Sequence, residues 1–349
     1  MLEAYVIKIL FFSTLAFIFA MLVTPLLTRY LYKYKLGKKV RANGETPIFT
    51  GLHAHKEGTP TMGGVLIWGT VLIFILLFAL LDRLFVADIF SYLNFLSRAE
   101  TLLPLGALVI SALIGLFDDW LDVRGRGVLG GGGLKLRHRL FIYTLIAIVG
   151  ALWFYFKLDW TVFHVPFFGN FEIGAWYIPI FIFIIVATSF SVNETDGLDG
   201  LAGGTLLIAF TAYGVIAFAL GRYELATFCG VIIGALLAFL WFNIPPARFY
   251  MGDTGAMSLG VTLGIIAMLT NNSLLLIFIG LIFLLESKSV IIQVLSKKFR
   301  GKKVFLSSPI HHHFQAIGWP EAKVVMRFWV IAAIGAAVGL MVFLLDKKF

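Results

Sequence analysis

The chain has 349 residues, of which 60% are hydrophobic and only 13% are charged, and its mean hydropathy is +0.95. Soluble domains carry about 25% charged residues, so this composition excludes a soluble globular protein and makes lipid the solvent for most of the surface. The formal net charge of +9 is explained by membrane topology, and the absence of a basic stripe with interleaved aromatic residues argues against nucleic-acid binding.

Ten apolar runs approach the roughly 20 residues that a membrane span needs. They lie at about 5–27, 63–81, 102–117, 140–157, 177–192, 201–220, 225–242, 256–270, 274–295 and 328–345. The ninth run contains Glu286, Lys288 and Gln293, which predicts that it is bent or that it continues out of the membrane. The sequence therefore predicts an all-α polytopic membrane protein, formed as a single domain over residues 1–349.

Lys and Arg residues are divided unevenly between the two sides of these spans. The loops that follow odd-numbered spans hold 21 of the 28 Lys and Arg residues, and the other side holds 7. Because Lys and Arg accumulate in cytoplasmic loops, this bias predicts that the odd loops are cytoplasmic and that both termini are periplasmic.

Five polar segments fall in these odd loops, although the spans are assigned from apolar runs alone. The segments are 56–64, the pair 118–119, 193–200, 243–255 and 311–315. Their shared side predicts a functional site made of cytoplasmic loops and helix ends.

Five aspartates in these segments are candidates for metal or phosphate chemistry. Asp118 and Asp119 end a predicted span, where ionisable groups are costly and usually functional, although solvated acids at a helix end are the alternative. Asp196, Asp199 and Asp253 lie near glycines, where Asp-Gly turns are the alternative for each one alone. Together they favour a Mg²⁺ site, because Mg²⁺ binds through one or two carboxylates plus substrate phosphates.

Two further segments could contact phosphate. The glycines and hydroxyls of 58–64 lead into a span and could present backbone N–H groups to an anion, or they could form a plain loop. The consecutive His311, His312 and His313 cannot point in one direction, which argues against a three-His zinc site and leaves hydrogen bonds to phosphate. The glycine run at 130–133 predicts a flexible loop.

In this order between ten spans, the segments resemble the polyprenyl-phosphate N-acetylhexosamine-1-phosphate transferase superfamily, from about residue 20 to the end. The strings GTPTMGG at 58–64 and HHHF at 311–314 are most similar to its phospho-N-acetylmuramoyl-pentapeptide transferase family. The resemblance implies transfer of phospho-MurNAc-pentapeptide from UDP to undecaprenyl phosphate, giving lipid I and UMP. It also implies Mg²⁺ as cofactor, a bacterial inner-membrane location and a homodimer.

The resemblance assigns roles to particular residues. It implies catalytic roles for Asp118, Asp119, Asp253, His312 and His313, with Asp253 and Asp118 as metal ligands. The residues that it implies for substrate binding are Lys56, Thr61, Arg139, Asn193, Asp196, Asp199, Asn243 and Tyr250. Two mechanisms stay open: Asp118 could deprotonate the lipid phosphate for direct attack, which is the favoured reading, or an aspartate could form a covalent intermediate.

Five positions depart from the family pattern. Asp122 and Arg139 stand where the family has Lys, Glu194 replaces Leu, Tyr250 replaces Phe, and Gln315 replaces Glu. None of these changes removes a carboxylate that the reaction needs.

Two alternative functions remain. One is a GlcNAc-1-phosphate transferase of the same superfamily. The other is a secondary transporter, which is disfavoured because transporters place ionisable groups at mid-span within internal repeats.

Overall fold

The computed structural model describes residues 2–37, 56, 58–85, 87–97, 100–125 and 133–347. Within these residues, the thirteen α-helices are α1 (Leu2–Lys33), α2 (Val65–Leu84), α3 (Asp88–Leu93), α4 (Leu102–Val123), α5 (Leu136–Leu152), α6 (Tyr177–Thr195), α7 (Leu201–Ala219), α8 (Tyr223–Asn243), α9 (Gly252–Leu269), α10 (Leu276–Ile279), α11 (Leu281–Arg300), α12 (Ile310–Ala316) and α13 (Glu321–Asp346). A π-helical turn, Trp153–Lys157, extends α5. Most of the predicted glycine loop, residues 130–132, lies outside the described residues.

Nine of the described helices are long and apolar enough to cross a membrane, namely α1, α2, α4, α5, α6, α7, α8, α9 and α13. The remaining predicted span is a bent pair, in which Ser273–Ile279 and Leu281–Arg300 meet at 85°. The predicted all-α polytopic class and the bend are therefore confirmed. The break lies at Gly280, however, because α11 continues without interruption through Glu286 and Gln293.

Helix α9 lies at the centre of the bundle. All of its residues are buried, and it packs most extensively against α4 and α6. Small residues permit this close approach: a Cβ at Gly115 in α4 would lie 2.4 Å from the carbonyl oxygen of Asp253. The first turn of α9 is therefore held directly against the end of α4 that carries Asp118 and Asp119.

The five predicted polar segments meet at one end of the bundle. Lys56 pairs with Asp199, the Gly63 N–H donates to the Tyr250 carbonyl, and a Cβ at Gly197 would lie 2.2 Å from the His311 ring. The predicted convergence of these segments is thus present in the fold. The side of the membrane that this end faces stays a prediction.

The opposite end carries a small antiparallel hairpin of β1 (Val162–Val165) and β2 (Gly169–Glu172). Its His164 lies 2.6 Å from the Asp346 carboxylate at the end of α13. The sequence does not predict these strands, because each strand has only four residues, which is too short to show the alternating pattern of a strand.

Candidate active site

The acidic pair at the end of α4 is buried, and its two members have different partners. Asp118 and Asp119 are both 0% exposed, so the reading of solvated acids is wrong. Asp119 accepts hydrogen bonds from the N–H groups of Asp253 (3.1 Å) and Thr254 (3.0 Å) and from the Thr61 hydroxyl (3.2 Å). It therefore stabilises the first turn of α9, where negative charge is favourable.

Gly252 makes this arrangement possible. Its φ of +73° suits glycine, and a Cβ there would lie 2.5 Å from both Asp119 Oδ2 and Thr61 Oγ1. Any larger residue would push the start of α9 away from the carboxylate that caps it.

Arg139, near the start of α5, joins four helix ends through one guanidinium group. Its Nε donates to Asp118 Oδ2 (2.9 Å), its Nη2 to Asp253 Oδ2 (2.8 Å) and its Nη1 to Asn193 Oδ1 (3.1 Å). Asn193 Nδ2 in turn donates to Asp253 Oδ1 at 2.6 Å. We call these four residues the Arg139 cluster. A planar fork of donors can hold several acceptors at once, so residues predicted separately form one unit.

The glycine run ends against this cluster. A Cβ at Gly133 would lie 2.3 Å from Asp118 Oδ1, and the next backbone N–H, of Leu134, donates to that same oxygen at 2.5 Å. Glycine at 133 therefore lets the chain approach the buried carboxylate closely.

The Arg139 cluster offers the hard oxygen ligands that Mg²⁺ prefers. Asp118 and Asp253 bring two carboxylates to a common cation, and Asn193 adds an amide oxygen. Among the described residues, no group of three or more His, Cys, Asp or Glu side chains is arranged to hold a metal. Two carboxylates and one amide oxygen fit Mg²⁺, which proteins hold through one or two carboxylates together with substrate phosphates and water.

A second cation lies between two carboxylates nearby. Lys56 Nζ lies 2.6 Å from Asp199 Oδ1 and 2.5 Å from Glu321 Oε1, and the three side chains are 12%, 5% and 17% exposed. The Asp199 N–H also donates to Glu321 Oε1 at 2.8 Å. We call Lys56, Asp199 and Glu321 the Lys56 cluster. Glu321 is a member that the sequence motifs do not predict.

Asn243, at the end of α8, connects two of the loops at this end of the bundle. Its side-chain oxygen accepts from the Gly200 N–H at 2.9 Å, and its Nδ2 donates to the Phe249 carbonyl at 2.8 Å. Both of these bonds are to backbone, so they position the loops. Its predicted role in substrate binding stays a prediction.

Tyr250 lies beside the Lys56 cluster, with its hydroxyl near the Thr59 side chain. Burial, with smaller effects from the negative charges of Asp199, Glu321 and Asp196, raises the pKa of Tyr250 to about 12. The phenol is therefore neutral at physiological pH, and the half-buried Asp196 lies close enough to affect it.

The expectation that the glycines of 58–64 present N–H groups to phosphate is wrong for two of them. The Gly63 and Gly64 N–H groups donate to the carbonyls of Tyr250 and Met251, each at 2.8 Å. Phe249 and Gly255 also pack within 3 Å of where a Cβ would stand at these glycines. The glycines serve close packing between the start of α2 and the start of α9.

The three histidine rings have different partners, as their spacing predicts. His311 is fully buried with Nδ1 3.0 Å from Glu286, and burial lowers the pKa of His311 to about 3. His312 Nδ1 lies 3.0 Å from Gln315 Oε1, and His313 Nδ1 accepts the Leu306 N–H at 3.3 Å. That His312 and His313 bind phosphate stays a prediction.

Two partners in this region, Glu286 and Glu321, were not predicted as site residues. Glu321 follows Pro320 at the first position of α13, which on sequence alone reads as an ordinary helix-start acid. Glu286 lies within an apolar run, where its only signal is its cost at membrane depth.

The fold and these two largely buried clusters define a polytopic membrane protein with a polar site at one end of its helix bundle. Residues 101–271 match the model of Glycosyl transferase family 4, and residues 56–67 match Phospho-N-acetylmuramoyl-pentapeptide-transferase signature 1.

Curated relatives align over nearly the whole chain. A phospho-N-acetylmuramoyl-pentapeptide-transferase of Chloroflexus aggregans is 39% identical over 95% of this chain and 89% of its own length. Those of Geobacillus sp. strain WCH70 (93% of this chain, 95% of its own length) and Anoxybacillus flavithermus (95% and 97%) are also 39% identical. The chain belongs to the phospho-N-acetylmuramoyl-pentapeptide-transferase family, which confirms the predicted resemblance.

Proposed function

We propose that the protein transfers phospho-MurNAc-pentapeptide from UDP-MurNAc-pentapeptide to undecaprenyl phosphate, which gives lipid I for peptidoglycan synthesis and releases UMP. The carrying observation is the Arg139 cluster, in which carboxylates from two helices converge on one cation at the polar end of the bundle. Phosphoryl transfer depends mainly on positioning and on charge neutralisation. The names of the aligned relatives support the same reaction.

The proposed cofactor is Mg²⁺, with Asp253 and Asp118 as its protein ligands. When bound at the substrate pyrophosphate, the metal would stabilise the negative charge that builds on departing UMP. Arg139 keeps the two carboxylates, which otherwise repel each other, within reach of one cation.

In the proposed reaction, an oxygen of undecaprenyl phosphate attacks the phosphorus that carries the sugar. A new P–O bond forms and the P–O bond to UMP breaks. A phosphate monoester is largely ionised near neutral pH because its second pKa is about 6, so direct attack needs little activation and Asp118 accepts any remaining proton. The substrate is held by the Lys56 cluster, Asp196 and Tyr250, and its phosphates by His312 and His313.

The covalent alternative makes a different prediction. If an aspartate formed a phospho-sugar intermediate, the enzyme would release about one equivalent of UMP without undecaprenyl phosphate. Direct attack predicts no UMP burst until the acceptor lipid is added.

The proposed location is the bacterial inner membrane, with the polar end in the cytoplasm and both termini in the periplasm. Native Cys229 is buried, so single introduced cysteines can report sidedness. In intact cells a membrane-impermeant maleimide should label Phe168→Cys in the hairpin loop and not Lys302→Cys after α11. The reverse result would invert the topology.

A homodimer is also proposed, on the family resemblance alone. Native mass measurement of the purified protein distinguishes one chain of 38.7 kDa from two.

The test of the proposed function is a substrate comparison with purified protein, undecaprenyl phosphate and Mg²⁺. UMP and a lipid-linked product should form with UDP-MurNAc-pentapeptide and not with UDP-GlcNAc, and EDTA should abolish both. Product from UDP-GlcNAc instead would reassign the chain to the GlcNAc-1-phosphate transferases.

A further inference from the structure

We infer that Glu321 is a positioning residue, which fixes Lys56 and the loop 196–200 for binding the nucleotide-sugar. The inference rests on the proposed function for the identity of that ligand. Its structural basis is the first turn of α13, where one oxygen, Glu321 Oε1, accepts from both Lys56 Nζ and the Asp199 N–H.

The first consequence concerns the direction of the Lys56 ammonium group. Lysine has a long flexible side chain and three N–H donors. Two of these donors are directed to Asp199 and Glu321, and within the described chain no other hydrogen bond from this ammonium is present. With two donors fixed, the third has a set direction in which it can meet an acceptor oxygen of the substrate.

The second consequence concerns the backbone that carries Asp199. Glu321 accepts the Asp199 N–H, and Trp329, two turns further along α13, donates its indole N–H to the Gly200 carbonyl at 3.1 Å. The Trp329 ring also fills the space beside Gly204, where a Cβ would lie 2.1 Å from it. Helix α13 therefore holds this loop at two points.

The charge of the Lys56 cluster separates positioning from simple electrostatics. One ammonium faces two carboxylates, so the Glu321 charge by itself disfavours an anionic ligand. If Glu321 acted only through charge, removing that charge would improve substrate binding. If it acts by positioning, removing its oxygens weakens binding, and a neutral side chain that keeps an oxygen preserves most of the binding.

The experiment compares Glu321→Ala, Glu321→Gln and, as a matched control, Glu172→Ala in the exposed hairpin strand at the opposite end. For Glu321→Ala we expect KM for UDP-MurNAc-pentapeptide to rise about ten-fold, as for loss of a hydrogen bond to a charged group, with kcat within about two-fold. The KM of Glu321→Gln should stay within about three-fold of the native value. Glu172→Ala should have the native KM and kcat.

Two further readouts separate positioning from a general structural role. Amide hydrogen exchange of residues 196–200 should accelerate in Glu321→Ala and in Trp329→Phe, and not in Glu172→Ala. In a Lys56→Ala background, adding Glu321→Ala should raise KM much less than it does alone, because the two residues act together.

Several results would overturn the inference. They are a native or lowered KM in Glu321→Ala, unchanged exchange in the loop, or full additivity with Lys56→Ala. If Glu321→Ala does not fold, Glu321→Asp, which withdraws the carboxylate by one methylene, is expected to shift KM and exchange in the same direction. Failure of the proposed function would appear separately, as absent UMP release by the native protein, and hydrogen exchange would still test the positioning role.

Discussion

The Arg139 cluster and the Lys56 cluster each place a cation between two carboxylates. They differ in the structural elements on which their residues lie. The Arg139 cluster is built from the ends of α4, α5, α6 and α9. The Lys56 cluster joins Lys56 and the loop 196–200 to the start of α13. Helix ends packed in a core fix groups to the tolerance that a reaction needs, whereas loops need added ties such as Asn243 and Trp329. We therefore expect changes in the first cluster to lower kcat and changes in the second to raise KM.

The largest effect after the proposed metal ligand Asp253 is expected at Asp118. Asp118→Asn removes one of the two charges that Arg139 bridges, and we expect kcat to fall by about 10³-fold or more, comparable to loss of a central electrostatic group. The control is Asp159→Asn, an exposed acid at the opposite end of the bundle. Near-normal turnover of Asp118→Asn would exclude this residue as base and as nucleophile.

Arg139 tests whether the shape of the cation matters as well as its charge. In Arg139→Lys a single ammonium group replaces the guanidinium fork that holds three acceptors, so we expect kcat to fall about ten-fold. Arg139→Gln also loses the positive charge, and we expect a larger fall in kcat. Steady-state kinetics of both variants decide the point. Equal rates for Arg139→Lys and the native protein would show that one positive charge is sufficient.

The convergence of Asp118, Arg139, Asn193 and Asp253 could be expected from their motifs in odd loops. The number of spans could also be predicted, because apolar run length depends only on local sequence. Glu321 could not be found in this way, because it meets Lys56 across 265 positions of the chain, and no periodicity reports such a contact. The backbone bonds of Gly63 and Gly64 were misassigned for the same reason: their acceptors at 250 and 251 come from a distant loop.

Asn243 should affect stability more than chemistry. Asn243→Ala leaves the Gly200 N–H and the Phe249 carbonyl without their partner, which costs about 1–3 kcal/mol for each buried group left unsatisfied. We expect a lower Tm and a raised KM, with kcat nearly unchanged. A fall in kcat without a change in KM or Tm would place Asn243 with the Arg139 cluster instead.

The smallest effect is expected at Tyr250, where the related family usually has Phe. Tyr250→Phe removes only the hydroxyl near Thr59 and keeps the ring, so kcat/KM should stay within about two-fold, a change of less than about 1 kcal/mol. Tyr250→Ala is the comparison that removes the ring. A large loss in Tyr250→Phe would assign the hydroxyl a direct contact with substrate.

The central claim is that Asp253, at the first turn of the buried helix α9, holds the metal for phosphoryl transfer. The most direct test measures UMP release from UDP-MurNAc-pentapeptide and undecaprenyl phosphate over a Mg²⁺ titration, for the native protein and for Asp253→Asn. The Tm of the variant is compared with that of the native protein to show that it is folded. We predict Mg²⁺-dependent release by the native protein and no detectable release by Asp253→Asn at any Mg²⁺ concentration. Native-like release by the folded Asp253→Asn variant would contradict the account.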